Sequence, residues 1–200
     1  MKDKDYIFLV DKYNKNLEKF GVSPSAVGWV SGKQKERYSK LFEGVGDFNS
    51  VIDIGCGLGD LYKFIIDQKG VENLKYIGTE INQNFIEICQ EKYPEANFIL
   101  QDNIIPSFNN KSDVVVMSGL FNTPLDSNDF FLKSLLDASF LLSKKFITFN
   151  FLSNDVDYKD SNLNYTSLGD VVEYCEKKSK KISINKSSIT HEITLTIEVK

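Results

Sequence analysis

The chain has 200 residues, of which 42% are hydrophobic and 26% charged, and this composition is typical of one globular domain with a sizeable core. Its net charge of -4 argues against the basic surface that nucleic-acid-binding proteins carry, so no nucleic-acid partner is expected. No apolar run approaches the roughly 18 residues of a membrane span, and none follows the N-terminus as in a signal peptide, so we expect a cytoplasmic protein without membrane contact.

The first part of the chain is predicted to be helical. Apolar residues recur at helical spacing over residues 3–20, which predicts an amphipathic helix that ends at Gly21. A loop over residues 22–32 contains Trp29, the only tryptophan, and a second helix is expected over residues 33–43. We interpret residues 1–45 as a helical lid segment and residues 46–200 as the main domain, together forming one compact unit.

Strands and helices then alternate along the chain. Strands are predicted at residues 50–54, 74–78, 96–100, 113–117 and 144–151, helices at 60–68, 82–92, 128–142 and 167–178, and a terminal antiparallel pair at 181–186 and 192–199. This alternation predicts a mainly parallel sheet with helices on both faces. The longest connection, residues 152–166, fits either a functional loop or a disordered segment.

The segment that says most about function is residues 51–60, which read Val-Ile-Asp-Ile-Gly-Cys-Gly-Leu-Gly-Asp. An apolar strand is followed by glycines that allow positive φ and close approach of a ligand, and then by a helix. The third glycine comes one residue too early for the dinucleotide pattern, and Asp60 opens the helix where an acid repels a pyrophosphate. With Asp53 nearby, the turn suits a cationic ligand without phosphate, such as S-adenosylmethionine. A purely structural turn is the alternative.

Polar residues also follow the next three strands. Glu80 ends the second strand, where a carboxylate can accept hydrogen bonds from ribose hydroxyls, although it also suits a helix cap. Asp102 and Asn103 follow the third strand, where they can bond an adenine amino group. Residues 117–122, including Ser118, follow the fourth strand, where a methyl acceptor should approach.

In these motifs the chain resembles the class I, Rossmann-like S-adenosylmethionine-dependent methyltransferases. The resemblance rests on residues 53–60, Glu80, Asp102 with Asn103, and the order of strands and helices. It implies a seven-stranded sheet of order 3-2-1-4-5-7-6 whose last strand is antiparallel. Residues 28–37 and 149–153 are further similar to a group of small bacterial methyltransferases with poorly defined substrates.

The resemblance implies S-adenosylmethionine as the cofactor. It places Asp53, Gly55 and Gly57 around the methionine part, Glu80 at the ribose, and Asp102 with Asn103 at the adenine. The complete predicted cofactor-binding set is Asp53, Gly55, Cys56, Gly57, Asp60, Glu80, Ile81, Asp102, Asn103, Ser118, Trp29 and Arg37.

Three of these residues have structural alternatives. Trp29 either covers the edge of the core or stacks over the cofactor. Arg37, the only arginine, is either a surface charge or a bidentate clamp on the methionine carboxylate or an acidic substrate. Cys56 is interpreted as a small filler between glycines, because nothing nearby in sequence would lower the pKa of its thiol.

Methyl transfer from a sulfonium is an in-line displacement that needs no metal, and no metal site is predicted because the cysteines are scattered and His191 is the only histidine. Weak catalytic candidates are His191, Asn122 and Asn150, and Glu192 and Tyr165 are further guesses for a base. The expected acceptor is a small or sugar-containing molecule. The alternatives are a non-catalytic S-adenosylmethionine-binding module or partner subunit and, less favoured by the glycine spacing, an NAD-dependent reductase.

Overall fold

The computed structural model describes residues 4–29, 32–70, 74–107, 109–186 and 191–200. Six α-helices are present in this part of the chain: α1 (Lys4–Phe20), α2 (Gln34–Phe42), α3 (Asp60–Lys69), α4 (Gln83–Lys92), α5 (Asn128–Leu142) and α6 (Leu168–Glu176). Seven strands alternate with them: β1 (Ser50–Ile54), β2 (Lys75–Glu80), β3 (Asn97–Leu100), β4 (Ser112–Met117), β5 (Ser143–Leu152), β6 (Ser179–Lys186) and β7 (Glu192–Val199). Val30 and Ser31 of the predicted Trp29 loop lie outside the described residues.

The strands form one sheet of order β3-β2-β1-β4-β5-β7-β6, which confirms the predicted fold class. β1 pairs in parallel with both β2 and β4, and β5 continues the parallel part. β7 inserts antiparallel between β5 and β6. The chain changes direction across the sheet between β1 and β4, and ligands of open α/β sheets bind at such a switch point, beyond the carboxyl ends of the strands.

The core lies on both faces of the sheet because successive strand residues point to opposite sides. Ile52 and Ile54 of β1 face the cluster that contains α5 and α6, with Leu135 at its centre. Val51 faces the opposite cluster, in which Leu61 of α3 is also buried. The central strands are therefore apolar on both sides, as the continuous Val-Val-Val run of β4 predicted.

Helix α1 lies across the carboxyl ends of the strands. The Tyr6 hydroxyl donates to the carbonyl of Ile81 at 3.3 Å, and Asn82 Nδ2 donates to Asn14 Oδ1 at 2.8 Å. At its first turn, Lys4 forms an exposed ion pair with Asp126. These contacts fix α1 above the end of the sheet where the predicted site residues lie.

The 152–166 connection folds back on the sheet. Ser153 and Thr166 form an isolated parallel bridge, and the Thr166 amide donates to the Leu152 carbonyl at 2.8 Å. Asn164 donates its backbone and side-chain amides to the carbonyls of Asn122 and Phe121, each at 2.9 Å. The loop is thereby held against the turn that follows β4.

None of the helices in the described part of the chain has the length and apolar character that a membrane span needs.

Candidate active site

A cavity of about 390 Å³ lies at the carboxyl ends of β1, β2 and β4 and is roofed by α1, a size within the range of small-molecule sites. Most of the predicted site residues line it: Trp29, Arg37, Asp53, Gly55, Cys56, Gly57, Asp60, Glu80, Ile81, Asn103, Ser118 and Asn122. The sequence motifs that are far apart along the chain therefore converge on one cavity.

The glycine bend after β1 forms the floor of the cavity. Gly55 and Gly57 have φ angles of 72° and 54°, which favour glycine. A Cβ on Gly55 would lie 2.3 Å from Leu120 Cδ2, and a Cβ on Gly57 would lie 3.0 Å from Val27 Cγ1. The bend therefore exposes backbone to the cavity in a way that side chains at these positions would obstruct.

Glu80, at the end of β2, lies beside the glycine bend and also lines the cavity. Its carboxylate accepts hydrogen bonds from the backbone amides of Ile81 at 2.7 Å, of Asn82 at 3.0 Å and of Gly57 at 3.0 Å. Burial raises the pKa of this carboxyl, and the three amides oppose that rise. The carboxylate holds the glycine bend in place and still lines the cavity, with lone pairs left to accept further hydrogen bonds.

Asp53 is the most deeply buried acid of the cavity, with 1% of its surface exposed. Its Oδ2 accepts a 2.6 Å hydrogen bond from the Tyr76 hydroxyl. Burial raises the pKa of Asp53 to about 7, the Tyr76 hydrogen bond opposes the rise, and the nearby Glu80 adds to it. Asp53 therefore changes its charge near neutral pH, beside the ligand space.

Asp60 opens α3 at the far side of the bend. Its carboxylate accepts a hydrogen bond from Gln34 Nε2 at 3.2 Å and lies 3.5 Å from Lys92 Nζ. The same Gln34 amide donates to the Tyr38 hydroxyl at 2.8 Å. Helix α2 is thus connected through Gln34 to the residue that follows the glycine bend. Asp60 also adds a third carboxylate to the cavity wall.

Arg37 is the only arginine and is held on two sides. Its guanidinium carbon lies 3.8 Å from the ring centre of Trp29, and its Nε donates to Glu192 Oε2 at 2.5 Å. Both charged side chains are buried, and Arg37 Nη1 and Glu192 Oε1 have no hydrogen-bond partner in the described structure. Burial raises the pKa of Glu192, and Arg37 opposes that rise.

The end of β4 provides neutral polar groups. Ser118 Oγ and Asn122 Oδ1 are buried, line the cavity and have no hydrogen-bond partner among the described residues. Asn150 supports this end from behind the cavity, since its Oδ1 accepts from the Gly119 amide at 2.7 Å. Both residues therefore line the space where the acceptor was predicted to enter, and each has a buried polar atom without a described partner.

Three predicted site residues lie elsewhere. Asp102 is exposed and does not line the cavity, whereas its neighbours Gln101 and Asn103 do. His191 is exposed, with a φ of 69°, and only its carbonyl has a described contact, accepting from the Ser153 amide at 2.8 Å. Asn150 contacts the Gly119 backbone and is also absent from the cavity wall.

The predicted lid named no side chain of α1 as part of the site. Leu9, Lys12 and Tyr13 of this helix line the cavity. The helical spacing of apolar residues predicted the helix, and the lid interpretation placed it over the site, but neither indicated which of its side chains would line the cavity. Glu192 was considered only as a base, and its pairing with Arg37 joins residues 155 positions apart.

The cysteines behave as core residues. Cys56, Cys89 and Cys175 are all free and buried. Burial raises the pKa of the Cys56 thiol, and that of Cys175 rises to about 12 for the same reason. Over the described ranges, no three His, Cys, Asp or Glu side chains are placed to hold a metal ion.

A family model described as a methyltransferase domain matches residues 52–138, which run from β1 into α5. The chain matches none of the curated proteins.

Solved structures show the same fold at low identity. Magnesium protoporphyrin IX methyltransferase from Synechocystis PCC 6803, with bound SAM, is 13% identical, with a TM-score of 0.65 over 99% of this chain and 98% of that one. An S-adenosylmethionine-dependent methyltransferase from Clostridium acetobutylicum ATCC 824 is 15% identical, with a TM-score of 0.60 over 97% and 98%. A TehB-like SAM-dependent methyltransferase from Corynebacterium glutamicum ATCC 13032 is 13% identical, with a TM-score of 0.62 over 97% and 100%.

Proposed function

From the premise that the chain is a class I, Rossmann-like methyltransferase, we propose that it transfers the methyl group of S-adenosylmethionine to a small or sugar-containing acceptor. S-adenosylmethionine is the methyl donor of such a domain, and it is bound in the Synechocystis structure. We further propose the cytoplasm as the location of the reaction.

The observation that supports the donor site is the charge around the glycine bend. Three carboxylates, those of Asp53, Asp60 and Glu80, line the cavity there. A pyrophosphate would face this negative charge at the start of α3, whereas an ammonium and a sulfonium would be attracted to it. The residues present therefore fit a cationic, phosphate-free donor and disfavour a dinucleotide.

We assign roles to the lining residues by their chemistry. Asp53 would attract the donor's ammonium, and Arg37 would bind its carboxylate through the unpartnered Nη1, since a guanidinium suits a planar anion. Glu80 would accept hydrogen bonds from the ribose hydroxyls. Ile81 and Asn103 would border the adenine, the latter in place of the exposed Asp102.

When bound, S-adenosylmethionine supplies a methyl group already activated by its sulfonium. In the transfer, a lone pair of the acceptor atom would form the new bond to the methyl carbon while the sulfur would keep the electron pair of the broken sulfur–methyl bond, and any proton on the acceptor atom would leave to solvent or a base. The protein's task is to align the two reactants and exclude water. Ser118 and Asn122 would orient the acceptor by hydrogen bonds.

These contacts restrict the predicted lid, residues 1–45, to a smaller part of the chain. We propose α1 and the 3₁₀ turn Pro24–Val27 as its covering part, because Leu9 and Val27 line the cavity from above. Helix α2 instead packs on the sheet, where the Leu41 carbonyl accepts a 2.6 Å hydrogen bond from Thr148 Oγ1.

Calorimetric titration with S-adenosylmethionine, S-adenosylhomocysteine and NADH tests the donor assignment. We expect both sulfur ligands to bind and NADH not to bind. Arg37→Lys should weaken both by about tenfold, because a point charge replaces a bidentate donor. Lys35→Gln on the same helix, at an exposed position, is the matched control and should bind as the unaltered protein does.

Binding of NADH without either sulfur ligand would contradict the proposal. Tight binding of S-adenosylmethionine with no turnover across a broad acceptor panel would favour the second candidate, a non-catalytic binding module, but the unpartnered Ser118 and Asn122 beside the donor space support an enzyme.

A further inference from the structure

The cavity is lined by a second cation besides Arg37. Lys12 of α1 is half-buried and lines the cavity, and its Nζ donates to Thr123 Oγ1 at 2.9 Å. Thr123 is itself buried and directly follows the turn Leu120–Asn122 at the end of β4. Lys12 therefore lies at the end of the cavity where Asn122 awaits a partner.

Lys12 has no counter-charge in the described part of the chain. Its ammonium contacts a neutral hydroxyl, and no described carboxylate is within ion-pair distance. Lysines that are more exposed do have such partners, as in Lys4 with Asp126 and Lys178 with Asp137. Burial lowers the pKa of Lys12, since a charged amine loses hydration there. Two of its three N–H donors stay free for a ligand.

The cavity that Lys12 lines also has a set of apolar side chains in its wall. Leu9, Phe131, Leu152 and Leu163 line the same cavity. Apolar side chains together with an ammonium that has no counter-charge favour a ligand that has an apolar body and an anionic group. An uncharged sugar would leave the ammonium unpaired and would bring hydroxyl groups against the leucines.

We propose that the acceptor is a mainly apolar small molecule that bears a carboxylate or similar anionic oxygen group, and that Lys12 binds this group and selects the acceptor. The inference rests on the proposed function and narrows its acceptor class. Lys12 acts as a specificity-determining residue, and the methylated atom lies elsewhere on the acceptor or on that group itself.

Matched acid and amide probes test the charge requirement. The protein, saturated with S-adenosylhomocysteine, is titrated with hexanoate and hexanamide and with phenylacetate and phenylacetamide, and the fluorescence of Trp29 reports binding because it is the only tryptophan and lines the cavity. Each acid should bind about tenfold more tightly than its amide, since a charge-assisted hydrogen bond replaces a neutral one.

Variants then locate the cation. Lys12→Met should remove the preference for the acid, with Lys12→Gln as the second variant should the first not fold. Lys12→Arg should keep the preference. Lys15→Met, at an exposed position of the same helix, is the matched control and should keep it too.

The possible failures are separable. If the unaltered protein does not bind S-adenosylhomocysteine, the proposed function fails. If that ligand binds in every variant but acids and amides bind alike, or no acid binds saturably, or Lys12→Met keeps the preference, the role of Lys12 is overturned and the donor assignment stands.

Discussion

Acidification should weaken donor binding through the protonation of Asp53. This carboxyl is buried, and its pKa is raised to about 7 by that burial, against the opposing hydrogen bond from Tyr76. Above that pH Asp53 is negatively charged and attracts the ligand's ammonium, whereas below it the carboxyl is neutral and the attraction is lost. Affinity should therefore fall as the pH falls through neutrality.

The size of the effect follows from linkage. If the bound state requires ionised Asp53, affinity declines by about fivefold from pH 7 to pH 6 and by about fiftyfold from pH 7 to pH 5. An aspartate with an ordinary pKa near 3.9 would change affinity by less than about 10% over the same range. The raised pKa of Asp53 thus makes an effect that is easily measured.

Calorimetry with S-adenosylhomocysteine between about pH 5 and about pH 8 measures this dependence. The ligand keeps the ammonium and lacks the sulfonium, so it isolates the attraction to Asp53. Asp53→Asn should bind more weakly at pH 8 and lose most of the slope. His191→Asn should keep the slope, because the chain's only histidine is exposed and outside the cavity wall. A flat profile in the unaltered protein, or an unchanged slope in Asp53→Asn, would refute the reasoning.

Two substitutions should report on stability in denaturant titrations. Gly55→Ala should lower the free energy of unfolding by about 2 kcal/mol or more, because the new Cβ would lie 2.3 Å from Leu120 Cδ2 at a φ of 72°. Gly21→Ala is the control, since Gly21 also has a positive φ but open space around it, and it should cost about 1 kcal/mol. Equal losses in the two variants would contradict the steric argument. Glu192→Gln should cost about 3 kcal/mol or more by leaving the buried Arg37 charge unpaired, and a loss below about 1 kcal/mol would show that the pair does not hold the guanidinium.

The convergence of the glycine bend and Glu80 on one cavity could be predicted because its signals are local. The glycines of residues 55–59 must reach positive φ within one bend, and Glu80 ends the neighbouring parallel strand. Parallel strands bring their carboxyl ends together, so the two motifs meet whatever the rest of the chain does. The sheet order came from the family resemblance, and the structure confirms it.

Details that depend on distant contacts could not be predicted. Asp102 and Asn103 are adjacent in sequence, and the path of the loop after β3 decides that Asn103 lines the cavity while Asp102 is exposed. The pairing of Arg37 with Glu192 requires α2 to pack beside β7, which no local pattern specifies. The observed strand ends also differ from the predicted ones. β2 extends to Glu80, not to residue 78, because its pairing with β3 continues to that point.

The division between predictable donor chemistry and an unspecified acceptor has a physical origin in the chain itself. The methyltransferase family match covers residues 52–138, which include Asp53, the glycine bend and Glu80. Lys12, Trp29 and Arg37 precede that segment and reach the cavity through the packing of α1 and α2. S-adenosylmethionine presents the same ammonium, ribose and adenine to every protein that binds it, so the residues that contact it can form a shared sequence motif. In our proposal the acceptor is recognised by Lys12 on α1, a helix whose amphipathic pattern is compatible with many different cavity-facing side chains. The charge on Lys12 is therefore the feature by which this chain should differ from others with the same donor site.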